Sequence, residues 1–123
     1  MRRLTQKRLN SYRLCNRQVT KDSEGVPLVS YGDPVAIKGE VWPAKSTRQV
    51  AQYGDRISGI QNMRIEGPYS VQVIDGVERI NLTDLGFTIS LGDGVQVYAE
   101  DGPDYQVLSF TQYEPLLMEI ERL

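Results

Sequence analysis

Turn-forming residues divide this 123-residue chain into short segments, and their spacing constrains the fold more than any other feature. Asp75-Gly76 separates two runs of alternating apolar residues and predicts a tight type I′ hairpin. Further clusters of Gly, Asp and Pro lie at 21–27, 32–34, 91–94 and 101–104. Short segments with apolar residues at every second position are typical of β-strands. The sequence therefore predicts a mainly β fold, either a small β-barrel or a β-sandwich.

Alternation along the predicted strands also indicates which side chains face the core. Tyr12, Leu14 and Val19 are the inward candidates of the first run. In the stretch 105–113, Tyr105, Val107, Ser109, Thr111 and Tyr113 share one face, and Leu108 and Phe110 share the other. The last run, 116–120, alternates in the same way and can close a sheet as its final strand.

Composition narrows the classes of function. The chain is long enough for one domain, 1–123, with a modest core, and it has no apolar run of the roughly 20 residues that a membrane span needs. Histidine is absent, so neither a Ser-His-Asp or Cys-His centre nor a histidine-containing zinc site can form. A single cysteine, Cys15, excludes an internal disulfide. We therefore expect no enzyme activity, no cofactor, no metal and no membrane partner.

Charge is distributed unevenly between the start of the chain and the rest. Residues 1–21 hold seven basic residues and no acidic one, whereas the other 102 residues hold seven basic and sixteen acidic ones, a net charge of −9. The segment 1–8 forms a basic N-terminal arm whose charges are Arg2, Arg3, Lys7 and Arg8. Such an arm can dock on an acidic protein surface, bind nucleic acid, or remain a solvated terminus.

The connection over 45–67 is long for a small β domain, in which two to five residues commonly join strands. Thr47 to Tyr53 is a helix candidate, with Ser46 as N-cap, Gln49 completing a capping box and Gly54 ending it. We expect Val50 and Ala51 to rest on the sheet or on a neighbouring molecule. The following loop is expected to be extended, with Ile57 and Ile60 available for β-augmentation of a partner sheet. A surface loop without function is the alternative.

The order of these features resembles the head–tail connector, or head-closure (stopper), proteins of long-tailed phages and prophages. The likeness covers nearly the whole chain and consists of turn positions and strand order. The residues that carry it are the basic N-terminus with Leu9 to Leu14, the turn with Asp22 and Gly25, Val35-Ala36-Ile37-Lys38-Gly39-Glu40-Val41-Trp42-Pro43-Ala44, Gly92-Asp93-Gly94-Val95, Tyr98, Asp104-Tyr105-Gln106-Val107-Leu108 and the strand 116–120.

The resemblance implies a structural protein that forms a ring below the portal and its adaptor, retains packaged DNA and provides the platform for the tail. Expected partners are other copies of the chain, the portal–adaptor complex, a tail-completion protein, and DNA held without sequence specificity. The chain would reside in the virion, and in the host cytoplasm before assembly. The channel loop would contain Tyr53, Asp55, Arg56, Ile57, Ser58, Gly59 and Ile60, and the arm residues would dock on the adaptor or a neighbouring subunit.

Two other functions fit the same sequence. A tail-completion or minor tail protein can be built on the same β core. An OB-like barrel can use the basic arm to bind nucleic acid, although Tyr12 is the one aromatic residue near that arm. Binding to a portal–adaptor complex separates the first alternative from head closure, and a salt-dependent DNA gel shift separates the second.

Overall fold

The computed structural model describes residues 10–123, which form eleven short strands, one α-helix and one 3₁₀ helix. The basic arm 1–8, and with it the predicted docking residues, lies outside the described residues. In chain order the elements are β1 (Asn10–Cys15), β2 (Arg17–Lys21), β3 (Pro27–Tyr31), β4 (Val35–Pro43), α1 (Thr47–Tyr53), the 3₁₀ helix (Gly54–Gly59), β5 (Ile60–Ile65), β6 (Tyr69–Ile74), β7 (Val77–Leu82), β8 (Phe87–Ile89), β9 (Gly94–Gln96), β10 (Tyr105–Thr111) and β11 (Leu116–Arg122).

Six of the strands close into a barrel in the order β1-β4-β5-β11-β10-β9. Antiparallel pairing of β9 with β1, through Leu14 opposite Val95, completes the circle. The predicted mainly β fold is therefore confirmed as a small barrel with one short α-helix. α1 and the 3₁₀ helix form the connection between the barrel strands β4 and β5.

The barrel interior follows the alternation of the sequence most clearly in β11. Leu116, Met118 and Ile120 are fully buried and point into one continuous core. From β1, Leu14 is also fully buried, as predicted, and Tyr12 packs against the core from its edge. Each such side chain contributes about 1.5–3 kcal/mol of hydrophobic free energy relative to an exposed position.

One close backbone approach fixes how β4 and β5 meet. Gly39 lies opposite Ile65 in the pairing of these strands. A Cβ atom at this position would overlap the carbonyl oxygen of Arg64, which belongs to the neighbouring backbone and cannot rotate away. Only glycine allows the two strands to approach so closely here.

Two smaller sheets extend from the barrel. β2 and β3 form a hairpin, and β6, β7 and β8 form a three-stranded sheet. Asp75 and Gly76 join β6 to β7 with φ angles of 53° and 77°, which confirms the predicted type I′ turn. At the other end of this sheet, Ile80, Leu82 and Ile89 are buried in the common core. The sheet is therefore anchored at its base.

One predicted inward position, Val19, and the predicted face alternation along 105–113 are wrong for identifiable reasons. Val19 is 54% exposed, because the chain leaves the barrel after Cys15 and β2 pairs with β3 instead of continuing a barrel strand. In β10, an irregularity between Val107 and Ser109 shifts the register against β11. Beyond this β-bulge Phe110 packs against the core, so the predicted alternation along the strand changes phase.

Candidate interaction site

The connection between β4 and β5 begins with the predicted helix. The backbone N–H of Gln49 donates to Ser46 Oγ at 3.1 Å, and the backbone N–H of Ser46 donates to Gln49 Oε1 at 3.3 Å. This reciprocal pair is the capping box that the sequence predicted. The α-helix ends at Gly54, whose positive φ of 56° is readily available to glycine.

A polar network that the sequence did not predict holds this helix on the barrel. Gln49 Nε2 donates to Asn62 Oδ1 at 2.7 Å and to Glu119 Oε2 at 2.8 Å. Tyr53 Oη and Ser109 Oγ donate to Glu119 Oε1 at 2.7 and 2.6 Å. The two carboxylate oxygens of Glu119 therefore accept from α1 and from β10 at once.

The ionised form of Glu119 is favoured at this buried position. Burial alone would raise the pKa of its carboxyl group, but the hydrogen bonds from Ser109, Gln49 and Tyr53 lower the pKa below the ordinary value. The hydrogen bond between Tyr53 and Glu119 shifts the pKa of Tyr53 in the opposite direction. Burial and the hydrogen bond to the carboxylate raise the pKa of Tyr53 to about 12. Both shifts favour a phenol that donates to a carboxylate.

The side of α1 that faces outward differs from the prediction. Val50 is 50% exposed and Ala51 is exposed as well, whereas Gln49 is the buried residue of the helix. The prediction that Val50 and Ala51 rest on the sheet is therefore wrong, and the alternative, that they rest on a neighbouring molecule, stays a prediction. The cause is the network beneath the helix, because its buried acceptors require an amide rather than an apolar side chain on the inner face.

The predicted extended loop is instead a 3₁₀ helix, Gly54–Gly59, folded against the barrel. It provides no free strand for β-augmentation, so that prediction is wrong for the described conformation. Arg56 forms a two-point ion pair with Glu121 of β11, at 2.8 and 3.0 Å. Ile60 opens β5 and is 1% exposed, because it belongs to the barrel interior. The side chain of Ile60 is therefore not exposed at the surface in this conformation.

The other predicted channel residues remain close together at the surface of this connection. Asp55, Arg56 and Ser58 are exposed, and Ile57 and Gly59 are half-buried. Tyr53 is half-buried, and its hydroxyl donates a hydrogen bond to Glu119. The exposed residues of the set, Asp55, Arg56 and Ser58, thus form a polar ridge. The surface is polar because the two isoleucines of this segment are withdrawn from it: Ile57 in the 3₁₀ helix is half-buried, and Ile60, which follows the helix, is buried.

The β2–β3 hairpin carries the first exposed apolar surface. Val19 and Val29 lie directly opposite each other in the hairpin and are 54% and 50% exposed. Leu28 and Val26 near the turn are exposed to a similar degree. Cross-strand apolar pairs stabilise a hairpin, but a pair that stays in water contributes little of its hydrophobic free energy.

The distal half of the β6–β7 hairpin carries a second apolar surface. Val71, Val73, Ile74 and Val77 are all exposed, and Val73 reaches 69%. Tyr69, Val71 and Val73 share one face, as predicted, but the barrel covers the base of the hairpin more than its tip. By strand alternation, Val71 and Val73 lie on one face of the hairpin, and the paired Ile74 and Val77 lie on the other. Exposed apolar side chains grouped on a hairpin can mark interaction sites in soluble proteins.

The part of the chain that the structure describes offers few side chains suited to metal binding or nucleophilic chemistry. Residues 10–123 contain no group of three or more Cys, Asp or Glu side chains placed to hold a metal ion. Burial, followed by the nearby Asp93 carboxylate, raises the pKa of the Cys15 thiol, and a higher pKa reduces its thiolate fraction. Neither helix in the described range is long and apolar enough to span a membrane.

Comparisons with known proteins add no relative: no protein-family model, curated protein or solved structure matches the chain. The arguments for function therefore rest on the surfaces described above. Two apolar hairpins and one polar ridge project from a closed barrel, and side chains exposed in this way can bind another macromolecule.

Proposed function

We propose that the chain is a structural protein of virion assembly, a head-closure protein that forms a ring below the portal–adaptor complex of a long-tailed phage or prophage. In that position it retains packaged DNA and provides the platform to which the tail attaches. Its partners are other copies of itself, the adaptor above and a tail-completion protein below. The sequence resemblance in turn positions and strand order motivates this choice among proteins with small β-barrels.

The observation that carries the proposal is the exposure of apolar residues on both hairpins. Val19 and Val29 on one hairpin, and Val73 and Val77 on the other, are each at least 47% exposed. Hydrophobic side chains contribute to stability when they leave water, at about 25 cal/mol for each Å² of apolar surface buried. A contact that covers both hairpins supplies that burial, whereas an isolated barrel does not.

Two different hairpins on one chain suit a ring better than a symmetric pair. When one surface of a subunit contacts a different surface of the next, the contact is heterologous, and repeated copies close into a ring if the rotation permits. Each contact in such a ring can be weak, because neighbouring subunits hold one another at a high effective concentration. A chain that is monomeric in dilute solution is compatible with this arrangement.

In the proposed ring the polar ridge of Asp55, Arg56 and Ser58 provides the channel surface, and Ile60 has no part in it. Closure is steric, since ridges from several copies converge on the axis until the tail opens the passage. The net charge of −9 over residues 22–123 fits a wall along which DNA moves without adhering, because tight binding of DNA needs neutralising cations.

The test replaces exposed hairpin residues in a phage or prophage that depends on this gene. We expect Val73→Asp and Val29→Asp each to leave DNA-filled heads without tails, visible by electron microscopy, and to increase the release of DNA from those heads. Leu123→Asp is the matched control, because Leu123 is 58% exposed and lies outside both hairpins. Wild-type yields of tailed particles from both hairpin variants, with wild-type amounts of protein, would refute the proposal.

A binding experiment distinguishes head closure from the tail-side alternative. Purified portal–adaptor complex is mixed with the chain and sedimented, and a tail-completion protein is tested in parallel. Head closure predicts that the chain sediments with the portal–adaptor complex. Binding confined to the tail component would replace the proposal with a tail-completion function, and a gel shift with DNA alone would favour a nucleic-acid-binding module.

A further inference from the structure

A small groove lies between the base of the β2–β3 hairpin and the three-stranded sheet. Its cavity volume is about 300 Å³, and it is open to solvent. Its lining combines two arginines, one aspartate, small polar side chains and two apolar residues at the rim. The residues are Asn16, Arg17, Val19, Arg79, Thr88, Ser90, Leu91 and Asp93.

Neither arginine of this groove forms an ion pair with another residue in the range 10–123. Arg79 Nε is buried and has no hydrogen-bond partner within residues 10–123. Asp93 also lines the groove, but its carboxylate already accepts from Asn16 Nδ2, the backbone N–H of Arg17 and the backbone N–H of Ser90, at 2.8–3.0 Å. A buried donor without a partner lowers stability, so an incoming acceptor is favoured.

The rim indicates which acceptor fits. Val19 and Leu91 are 54% and 58% exposed beside the two arginines. A carboxylate flanked by apolar side chains would satisfy both parts of the groove, because arginine binds carboxylates through charge-assisted hydrogen bonds. A nucleic-acid phosphate would satisfy only the charge, and the acidic body, with its net −9 over residues 22–123, opposes it.

The chain itself presents a group of this description. Asp75 lies at the tip of the β6–β7 hairpin and is exposed, with Ile74 and Val77 exposed on either side of the turn. The same hairpin keeps this tip away from its own groove. Arg79, which pairs with Gln72, follows Gly76 by three residues. Arg79 therefore lies about 10 Å along the strand from the turn.

We propose that the β6–β7 tip of one chain docks in the groove of a second copy, with the Asp75 carboxylate bound by Arg79 and Arg17 and with Ile74 and Val77 against Val19 and Leu91. The contact is heterologous, because tip and groove are different surfaces of the chain, so it extends from copy to copy. This inference rests on the proposed ring, and it names the side chains that join its subunits.

Charge reversal tests the pairing on the full chain. Sedimentation equilibrium measures self-association of the wild type, Asp75→Lys, Arg79→Glu and an equimolar mixture of the two variants. We expect each variant alone to associate about tenfold more weakly than wild type, as loss of a charged contact at an interface commonly does. The mixture should recover association to within about threefold, because it pairs Lys with Glu and Asp with Arg.

Two further variants keep the outcome interpretable. Asp75→Asn removes the charge and keeps a residue that tolerates the positive φ of this turn, so weaker association cannot be assigned to a lost hairpin. Asp101→Lys makes the same change of charge in another exposed turn and should associate like wild type. Thermal unfolding of every variant checks that the barrel is intact.

Three results would overturn the inference. The first is a mixture that associates no better than its separate components, and the second is wild-type association by both variants. The third is no wild-type association up to about 1 mM, the weakest range of specific binding. If Arg79→Glu loses binding to a DNA fragment while its self-association is unchanged, the groove binds phosphate instead. The proposed function fails separately, through the particle experiment, so the two outcomes are distinguishable.

Discussion

Glu119 offers the sharpest test of how the helical connection is held on the barrel. Its carboxylate accepts hydrogen bonds from Gln49, Tyr53 and Ser109 at 2.6–2.8 Å, and the residue is 7% exposed. Glu119→Ala removes the common acceptor of all three donors. Because three donors lose the acceptor that they share, the loss of stability should be large.

The structure sets the magnitude of that loss. Gln49 retains its second acceptor, Asn62, and the hydroxyl of Tyr53 can turn to water, so about one to two donors remain unsatisfied. At about 2 kcal/mol for each buried group left without a partner, the middle of the usual range, we expect Glu119→Ala to cost about 2–4 kcal/mol. A seven-residue helix cannot persist alone, so local opening should release α1 and the 3₁₀ helix together.

Urea unfolding at neutral pH measures the effect. With a slope of about 1–3 kcal/mol per M, typical of small domains, the midpoint should fall by about 0.7–4 M. Hydrogen exchange should show faster exchange confined to residues 46–59. Glu119→Gln keeps the shape and should cost less, because the hydroxyls of Tyr53 and Ser109 can rotate to accept from the new amide. A change within about 0.5 kcal/mol for Glu119→Ala would refute the assignment of Glu119 as anchor.

The same carboxylate gives a pH dependence whose sign is fixed. Its pKa is lower in the folded chain than in the unfolded chain, so its contribution to stability is present above the unfolded pKa, which is about 4.3. That contribution decreases as the pH falls below this value and is lost as the pH passes through the folded pKa. We expect acid destabilisation of the wild type to exceed that of Glu119→Gln over this range. Parallel curves would contradict the pKa shift.

Three further predictions concern other parts of the fold. Gly39→Ala should cost more than about 2 kcal/mol, because its Cβ overlaps the backbone of Arg64, whereas the control Gly59→Ala meets Arg122 Cβ at an ordinary 3.8 Å and should stay within about 0.5 kcal/mol in the same urea assay. Asp93→Ala should lower stability by about 2–4 kcal/mol in thermal unfolding, since three donors lose their acceptor, and an unchanged midpoint would contradict this role. In a spectrophotometric titration the phenol of Tyr53 should ionise with a pKa of about 12, and Tyr53→Phe should remove a titration step near that pH. Because the pKa is raised, the stabilising contribution of Tyr53 is present below about pH 10 and decreases as the pH rises toward 12.

Patterns of neighbouring residues in the sequence were sufficient to predict the regular parts of the fold. The Asp75-Gly76 turn and the Ser46–Gln49 capping box depend on neighbouring residues only, and both are present as predicted. The alternation of β11 also predicted its buried side, because no bulge interrupts it. These features have one source, the preference of a short segment for a particular backbone geometry.

The errors come from contacts between segments that are distant in sequence. Glu119 alternates with buried residues and so belongs to the outer face of β11, where sequence alone indicates solvent. α1 covers that face, and a capped polar helix gave no sign of where it would dock. Val19 was misplaced because the alternation of its run continues while the strand leaves the barrel. The bulge between Val107 and Ser109 likewise has no signal in the residues that flank it.

The groove between the hairpin and the sheet lay beyond any prediction from sequence. Arg17 and Arg79 are 62 positions apart and carry no common motif. They lie together because β2 leaves the barrel beside the sheet that contains β7. A partner site of this kind depends on tertiary packing, so the sequence could indicate an interacting protein but not the surface that interacts.

Closure of the barrel has a consequence for a protein that we propose to assemble from many copies. A strand in a closed sheet has both neighbours, so its backbone cannot recruit another chain into an aggregate. Unpaired edges among residues 10–123 belong to the two small outer sheets, where the exposed valines also lie. Aggregation at high protein concentration should therefore proceed through the hairpins. Lysine substitutions at their outer edges should raise solubility without lowering the stability of the barrel.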